Sequence, residues 1–438
     1  MLAELRERAA HALELARRAG ASDAWASASR SRGVEVEVRD GQIEKLQEST
    51  SRALSLRLYV DGRYGTFDTS DLRERELAGF VREAVAMTRA LEPDPFRVIP
   101  DPALFEDRPA EDLELLDRSV LAIEADTRIA WCMEMSARAR RHDRIVSATV
   151  SAGDSHSLVA SASTNGFSGW HERTSISRGG NVTLQDEGDA RPAGYHYVGG
   201  RHLADLPDAA SVGDEALRQA ARRLGATQGP TRRGLVVVEP RAAGRLVGLL
   251  LGPASARASA SSAPSGAGAS ASACSRRACA SPTTRSSRAP SARATTTARA
   301  SARGASPIVE GGALRTIYVD TYYGRKIEAP PTTGGSSNLV IEPGTRPLDA
   351  IVADVREGLL VTGWLGGNSD ATTGDFSLGL RGHLIEGGQV GAPVQEMNLT
   401  GNLLTLFAGL IEVGSDPWLY SSTRVPTLVF EDALFSGA

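Results

Sequence analysis

The chain has 438 residues, 41% hydrophobic side chains, 45 glycines and a formal net charge of −4, which excludes a wholly disordered protein and predicts two or three domains. The absence of a run of about 18 apolar residues and of a hydrophobic signal-peptide core excludes a transmembrane helix and favours a cytoplasmic protein. Three cysteines are too few for a disulfide framework, and the acidic balance argues against nonspecific nucleic-acid binding.

The first half predicts a helix followed by a meander of antiparallel strands. Residues 2–18 place apolar side chains at helical spacing, and valines alternate with charged residues up to Asp40-Gly41, which are the turn residues of a tight hairpin. The alternation and the turn recur up to Asp61-Gly62. The further predictions, in chain order, are a helix capped by Asp71, one or two helices in 111–141, strands at 145–151, 157–163 and 174–184, and a helix near 214–223.

The second half predicts mostly strands. A short buried strand at 234–238 precedes a helix at 241–251, and from Ile308 onward strands alternate with Gly-rich turns. The predicted class is α+β in two domains. An N-terminal domain of a helix and an antiparallel sheet spans 1–228, and a β-rich C-terminal domain spans 229–438.

Residues 253–307 do not fit this pattern. The tract contains only Ala, Ser, Arg, Thr, Pro, Gly and Cys, so it has no large apolar side chain with which to form a core. One interpretation is a flexible Ser/Arg-rich insert. The other is a frameshift that is later restored, because all seven residue types have G or C at the second codon position, as a GC-rich gene read one base out of register would give.

Familiar catalytic and metal-binding motifs are absent from the sequence. The seven histidines form no helical His-Glu-x-x-His pair, and His196 and His202, which flank Gly-Gly, suit a loop with a structural or solvated role. Cys274 and Cys279 lie in the anomalous tract without a second pair, and Cys132 is predicted to be a buried small hydrophobe. The Gly-rich segment 363–374 lacks a phosphate-loop ending and predicts β-turns.

An ordered set of motifs in the second half resembles a known family. The motifs are GLLVTGWLGG at 358–367, TGDFS at 373–377, LIEGG at 384–388, PVQE at 393–396 and LTGNL at 399–403. In this order they resemble the C-terminal domain of the TldD/PmbA family, historically described as modulators of DNA gyrase. Residues 17–24 and the hairpin at 34–41 resemble its N-terminal part, so the resemblance covers nearly the whole chain outside the tract.

The resemblance implies a C-terminal domain built from a strongly bent, barrel-like antiparallel sheet. It also implies an intracellular peptidase made of two homologous subunits that degrades short or unfolded peptides and trims a microcin precursor. One subunit, TldD, carries zinc on a helical His-Glu-x-x-x-His motif and a later Cys. The other, TldE or PmbA, lacks these ligands.

This sequence is similar to the TldE/PmbA subunit. The helix that would carry the zinc ligands is 241–251 here, and it contains no His, Glu or Cys. The resemblance therefore implies no zinc cofactor in this chain, a zinc-bearing TldD-like partner or a homodimer, a peptide substrate, and no role for membranes. The tract replaces the part in which relatives carry an acidic run, so strands built there by relatives would be missing and the C-terminal domain would be loosened.

Three functions remain open from the sequence. The first is a non-catalytic TldE-like subunit that shapes a peptide-binding cleft, with Gly374, Asp375, Phe376 and Ser377 on or beside it because a Gly-containing strand admits another backbone. The alternative for these four residues is a tight turn whose Asp caps local amides. The second function is a self-sufficient peptidase with an unrecognised site, and the third is an Arg-rich nucleic-acid-binding module that depends on the tract.

Overall fold

A computed structural model gives the structure of residues 1–105, 113–254 and 307–437. Helices make up 27% and strands 41% of it, and the antiparallel sheets include a closed, barrel-like sheet of five strands in the C-terminal region. The α+β class predicted from the sequence, with an N-terminal helix and antiparallel sheet and a bent, barrel-like C-terminal β region, is therefore confirmed.

The strands of the first half form one antiparallel sheet. They are β1 (Asp23–Arg39), β2 (Gln42–Val60), β3 (Arg63–Thr69), β4 (Ile145–Ser163), β5 (Ser168–Leu184) and β6 (Ala193–Gly200). Their order across the sheet is β3-β2-β1-β4-β5-β6, so β6 lies at one edge. Both predicted hairpin turns are present, since Asp40-Gly41 and Asp61-Gly62 have positive φ at each residue, as a type I′ turn requires.

Helices cover one face of this sheet at two places. They are α1 (Leu2–Arg18), α2 (Glu74–Arg89), α3 (Arg118–Leu121), α4 (Ala125–Ala139) and α5 (Ala209–Ala221), with 3-10 turns at Pro102–Phe105 and Leu203–Asp205. Helices α1 and α2 pack around Ala26 and Leu56, whereas α4 and α5 pack around Val36 and Val150. Ala26 and Val36 are an even number of residues apart in β1, so both cores lie on the same face.

The second half begins with β7 (Arg232–Val238) and α6 (Pro240–Leu251). After the tract come α7 (Thr321–Lys326), α8 (Leu348–Asp354) and α9 (Leu403–Ala408), and the strands β8 (Val309–Glu310), β9 (Ala313–Leu314), β10 (Leu339–Val340), β11 (Glu357–Trp364), β12 (Asn368–Ser369), β13 (Asp375–Glu386), β14 (Gln389–Asn402), β15 (Leu410–Val413), β16 (Thr423–Arg424) and β17 (Leu428–Ser436). The short helices α7, α8 and α9 are not among the elements predicted from the sequence.

Five of these strands close into a barrel. Strand β7 pairs in parallel with β11 and antiparallel with β17, and the ring is completed by β17 with β14, β14 with β13, and β13 with β11. Alternate side chains of β7 enter different cores, because Val236 and Val238 pack with α6 and α9 while Val237 packs against α8. Because the ring is closed, each of these five strands has a paired neighbour on both sides.

The predicted N-cap of α2 is wrong. Asp71 accepts hydrogen bonds from the backbone N–H and the guanidinium of Arg73, and the helix begins two residues later than a cap at Asp71 would allow, at Glu74. The side chain of Asp71 is therefore used in a local Asx turn that precedes the helix.

The predicted break between strands at 151 and 157 is also wrong. Asp154 suggests a turn there, but its side chain is buried and accepts a hydrogen bond from buried Arg128. Because this ion pair satisfies the carboxylate, Asp154 lies inside the continuous strand β4. Helix α5 begins five residues before the predicted start, because Asp208 caps it by accepting the N–H of Ser211. The region 111–141 contains two helices among its described residues, and β6 was not predicted.

The barrel draws none of its five strands from residues 253–307. The expected loss of strands from the C-terminal sheet stays a prediction. Apart from Pro253, Ala254 and Pro307, the tract lies outside the described residues, as do Cys274 and Cys279. The predicted domain boundary at 228/229 falls in the connection between α5 and β7 and stays a prediction. No helix in the described part of the chain is long and apolar enough to cross a membrane.

Trypsin cleavage within 253–307 should leave the two fragments associated. The tract holds eight arginines, and the N-terminal fragment keeps β7, which is hydrogen-bonded to β11 and β17 of the C-terminal fragment. After limited digestion we expect two bands on a denaturing gel and a single peak on a native size-exclusion column. A digest unfolded in urea serves as the control, and separation of the fragments on the native column would contradict the barrel.

Candidate functional site

A cavity lies between the first-half sheet and the C-terminal barrel. It has a volume of about 190 Å³ and is formed where the edge strand β6 and the end of α5 meet α6, β11 and β13. Its lining residues are Gly194, Tyr195, Gln219, Arg222, Arg223, Arg241, Ala242, Arg245, Thr362, Gly363, Trp364 and Arg381. Five of the twelve are arginines and none is acidic, which makes the cavity strongly basic.

Helix α6 supplies two of these arginines because it is amphipathic. Ala243, Leu246 and Val247 pack into the barrel core, and the opposite face presents Arg241 and Arg245 one turn apart. The first turn of the helix is fixed from the barrel side, since the indole Nε1 of Trp364 donates to the Ala242 carbonyl at 2.9 Å. The two guanidinium groups are therefore presented from a rigid element.

Two arginines satisfy the outer edge of β6. Nη2 of Arg241 donates to the carbonyl of Tyr195 at 2.8 Å, and Nη1 of Arg223 donates to the carbonyl of Ala193. These carbonyls would otherwise be unpaired at the edge of the sheet. The second terminal nitrogen of Arg241, Nη1, is buried and has no hydrogen-bond partner among the described residues.

The remaining arginines line the other walls. Arg222 forms a two-bond ion pair with Glu239, with Nη–Oε distances of 2.6 and 3.0 Å. Arg381 lies against Gly363, where a Cβ would come within 2.8 Å of its Nε, and its guanidinium is 5.7 Å from the ring centre of Tyr195. Packing therefore explains the glycine at position 363, because a larger residue would displace the guanidinium of Arg381.

The pKa values of two arginines reflect this crowding. Burial, followed by the nearby charges of Arg381 and Arg222, lowers the pKa of Arg223 to about 10. Burial also lowers the pKa of Arg241. A cavity that lowers the pKa of its cations favours an incoming anion, which would offset both desolvation and mutual repulsion.

The side chains around the cavity do not fit a zinc ion. Zinc in proteins is bound by Cys, His and carboxylate groups, whereas an arginine stays protonated and has no free lone pair to offer. Within residues 1–105, 113–254 and 307–437, no three His, Cys, Asp or Glu side chains come together in a metal-binding cluster. The donor set at α6 is suited to anions instead.

The four residues predicted for a peptide cleft lie at the start of β13 and in the turn before it, and none of them lines this cavity. Gly374 has φ +82° in the preceding turn, Asp375 accepts a hydrogen bond from the Asn402 amide at 3.0 Å, Phe376 is buried in the barrel core, and Ser377 is exposed. The amides of this turn are capped by Asp370. Whether these residues adjoin a bound peptide stays a prediction.

The structure agrees with some of the predictions for individual histidines and for Cys132, but not with all of them. His196 was expected in a loop but lies in strand β6, where it is buried and packs edge-on against Trp418. His202 lies in a loop, and its Nε2 is 2.8 Å from the carbonyl of Glu114. Cys132 is fully buried as predicted, and burial raises the pKa of its thiol to about 12. The Gly-rich segment 363–374 contains the end of β11, the short strand β12 and a turn at 371–373, so the prediction of β-turns is confirmed for part of it.

The arginine cluster is a site that was not predicted from the sequence. Arg241 and Arg245 are spaced i, i+4 on an otherwise apolar helix, which is a signal that the sequence does contain. Arg222 and Arg223, which follow α5, and Arg381, which is more than 100 residues further along the chain than α6, join them only through tertiary contacts. No local pattern would have brought these three together with α6.

Family models match most of the chain. The PmbA/TldA metallopeptidase C-terminal domain matches residues 231–437, the central domain of the same family matches 118–224, and its domain 1 matches 26–88. The matched ranges leave residues 1–25, 89–117 and 225–230 outside the three family domains. The C-terminal match contains β7, α6 and the whole barrel.

Individual relatives agree with these matches. The Metalloprotease PmbA homolog of Haemophilus influenzae is 26% identical over 442 residues, covering 99% of this chain and 96% of the relative. A crystal structure from Bacteroides thetaiotaomicron, named as a candidate modulator of DNA gyrase, is 34% identical with a TM-score of 0.92 and covers 99% of both chains. TldE from Thermococcus kodakarensis has the same fold, with a TM-score of 0.83 at 18% identity over 98% of this chain and 100% of that one.

Replacing Phe376 by Ala should destabilise the barrel. The ring is 6% exposed and packs in the core that includes Leu399 and Phe407, so the truncation should cost about 3–5 kcal/mol of unfolding free energy. Ser377→Ala, on the exposed face of the same strand, is the matched control and should change stability by less than about 0.5 kcal/mol. Urea unfolding of both variants checks this, and unchanged peptide binding by a folded Phe376→Ala variant would favour the turn interpretation over the cleft.

Replacing His196 by Asn should make the fold less sensitive to acid. Burial, followed by the charge of Arg241, lowers the pKa of His196 from 6.5 to about 4. Between these values the unfolded chain binds more protons, so this contribution to stability is complete above pH 6.5 and is lost as the pH falls towards 4. At pH 5 protonation linked to His196 should have lowered the free energy of unfolding of the wild type by about 1–2 kcal/mol.

Thermal unfolding at pH 7 and pH 5 checks this expectation. Between pH 7 and pH 5 the melting temperature should fall less for His196→Asn than for the wild type. The control His142→Asn, which replaces a histidine in the loop between α4 and β4, should show the same fall as the wild type. Equal drops in all three proteins would show that His196 does not contribute.

Proposed function

The chain belongs to the PmbA/TldD metallopeptidase family, and we propose that it is a subunit of the TldE/PmbA type that pairs with a zinc-bearing TldD-like homologue. In this role it contributes no metal ligand. It binds short or unfolded peptides and presents them to the partner's zinc site, so that the assembled pair performs the proteolysis.

The observation that carries this proposal is the side-chain set of α6. The family resemblance puts the zinc ligands of the TldD-type subunit on the helix that follows the strand ending at Val238. In this chain that helix presents Arg241 and Arg245 to the cavity, and cations at these positions disfavour a divalent metal ion. The change is from metal binding to anion binding on the same element.

The surroundings of α6 support retention of the cavity for binding. Trp364 still fixes the first turn of the helix through its hydrogen bond to the Ala242 carbonyl, and Glu239 begins the helix while pairing with Arg222. These contacts keep a pocket of defined shape beside the edge of β6.

The proposal predicts that this chain contributes to peptide cleavage only in the mixed complex. The purified chain alone should retain no stoichiometric zinc after dialysis against a mild chelator and should not cleave an unstructured peptide. When mixed with the TldD-like homologue from the same genome, it should form a complex on a size-exclusion column. That complex should cleave the peptide faster than the homologue alone.

The control is the same homologue with its zinc-binding histidines replaced, which should still form the complex but should not cleave. One zinc per chain retained by this protein alone, or cleavage without the homologue, would favour a self-sufficient peptidase. A stable homodimer that ignores the homologue would contradict the pairing while leaving open a role as a homodimeric peptide-binding protein.

A further inference from the structure

We propose that the arginine-lined cavity between β6 and α6 binds a carboxylate group of an extended peptide, either its C-terminal carboxylate or an acidic side chain. The assignment of the carboxylate to a peptide rests on the proposed function. Anion binding by the cavity itself rests only on the charges and contacts around it.

The first argument is charge. Five arginines line the cavity, and of these only Arg222 has a carboxylate partner, Glu239, among the described residues. The guanidinium groups of Arg223, Arg241, Arg245 and Arg381 have no such counter-charge there. Glu239 and Glu215 act on Arg241 only from beyond ion-pair distance. Four cations without an ion-pair partner around about 190 Å³ repel one another, and Arg223 and Arg241 are partly desolvated, so an anion in the middle would lower the free energy of the folded state.

The second argument is hydrogen-bonding capacity. Nη1 of Arg241 is buried without a hydrogen-bond partner in the described part of the chain, and Nη2 of Arg245 donates to the Gly367 carbonyl over a long distance, 3.4 Å. Buried donors are normally satisfied, so a partner for them is expected. A carboxylate can accept from two guanidinium groups at once, with short charge-assisted bonds.

The third argument is size and wall chemistry. A volume of about 190 Å³ admits a carboxylate and one residue of a peptide, but not a nucleic-acid duplex, and the net charge of −4 does not favour a polyanion. Tyr195 and Trp364 offer aromatic walls to the aliphatic part of such a residue. Gly194 contributes no side chain, because a Cβ there would come within 2.1 Å of the Ala220 nitrogen in α5.

The test uses the full chain alone and three tetrapeptides in isothermal titration calorimetry. They are acetyl-tetra-alanine with a free carboxyl terminus, its C-terminal amide, and the amide with glutamate at the last position. The free acid and the glutamate amide should bind, and the neutral amide should bind at least about tenfold more weakly, since one hydrogen-bonded charge pair is lost. Added salt should weaken the binding of the two acidic peptides, because it screens the attraction between their carboxylates and the arginines.

Variants locate the binding in the cavity. Arg245→Gln and Arg381→Gln should each weaken binding of the free acid about 10- to 100-fold, and Arg245→Lys should retain part of it because the charge remains while the planar fork is lost. Arg82→Gln, which replaces an exposed arginine on α2, is the matched control and should bind like the wild type. Thermal unfolding of each variant confirms that it is folded.

Equal binding of all three peptides, no binding of any of them to the wild type, or equal affinities in the wild type and both glutamine variants would overturn the proposal. Binding of a single-stranded oligonucleotide that is lost in the same variants, with no peptide binding, would overturn the peptide assignment. If the acidic peptides bind as expected but no TldD-like homologue pairs with the chain, the cavity assignment stands and the proposed function fails.

Discussion

The ion pair between Arg222 and Glu239 connects the two halves of the molecule. Arg222 immediately follows α5, and Glu239 immediately precedes α6, where its carbonyl accepts the N–H groups of Ala242 and Ala243. The N–H of Glu239 also donates to Val361 in β11 at 3.0 Å. Glu239 therefore joins three parts of the molecule: its carboxylate bonds Arg222 after α5, its carbonyl starts α6, and its N–H bonds the wall of the barrel.

This pair is mostly removed from solvent, with side-chain exposures of 15% for Arg222 and 10% for Glu239. Removing one member of such a pair leaves an uncompensated charge, and the usual cost is about 3–5 kcal/mol. Within the described residues, the other arginines of the cavity have no carboxylate at ion-pair distance. The cavity thus combines one neutralised cation, which sets the geometry, with others whose charge is available to a ligand.

Local patterns predicted the parts of the fold that depend on local chemistry. The bounds of α1, the two type I′ hairpins and the β7–α6 pair follow from periodicity and from Asp-Gly turns. The errors arise where a distant residue decides. Asp154 stays within a strand because Arg128 lies beneath it. For the candidate site, the lack of zinc ligands on α6 could be seen in the sequence, whereas the grouping of Arg223 and Arg381 depends on how two sheets meet.

The parallel pairing of β7 with β11 makes the barrel tolerant of length changes at one place. Parallel neighbours cannot be joined by a hairpin, so the chain from 239 to 356 is a crossover connection, and residues 253–307 lie inside it. The closure entropy of a connection grows only logarithmically, at about 0.6 kcal/mol for each doubling of length. Between the packed helices α6 and α8, insertions of tens of residues in this crossover are therefore expected to leave the strand order of the barrel unchanged, which makes it a suitable position in this fold for grafting a foreign segment.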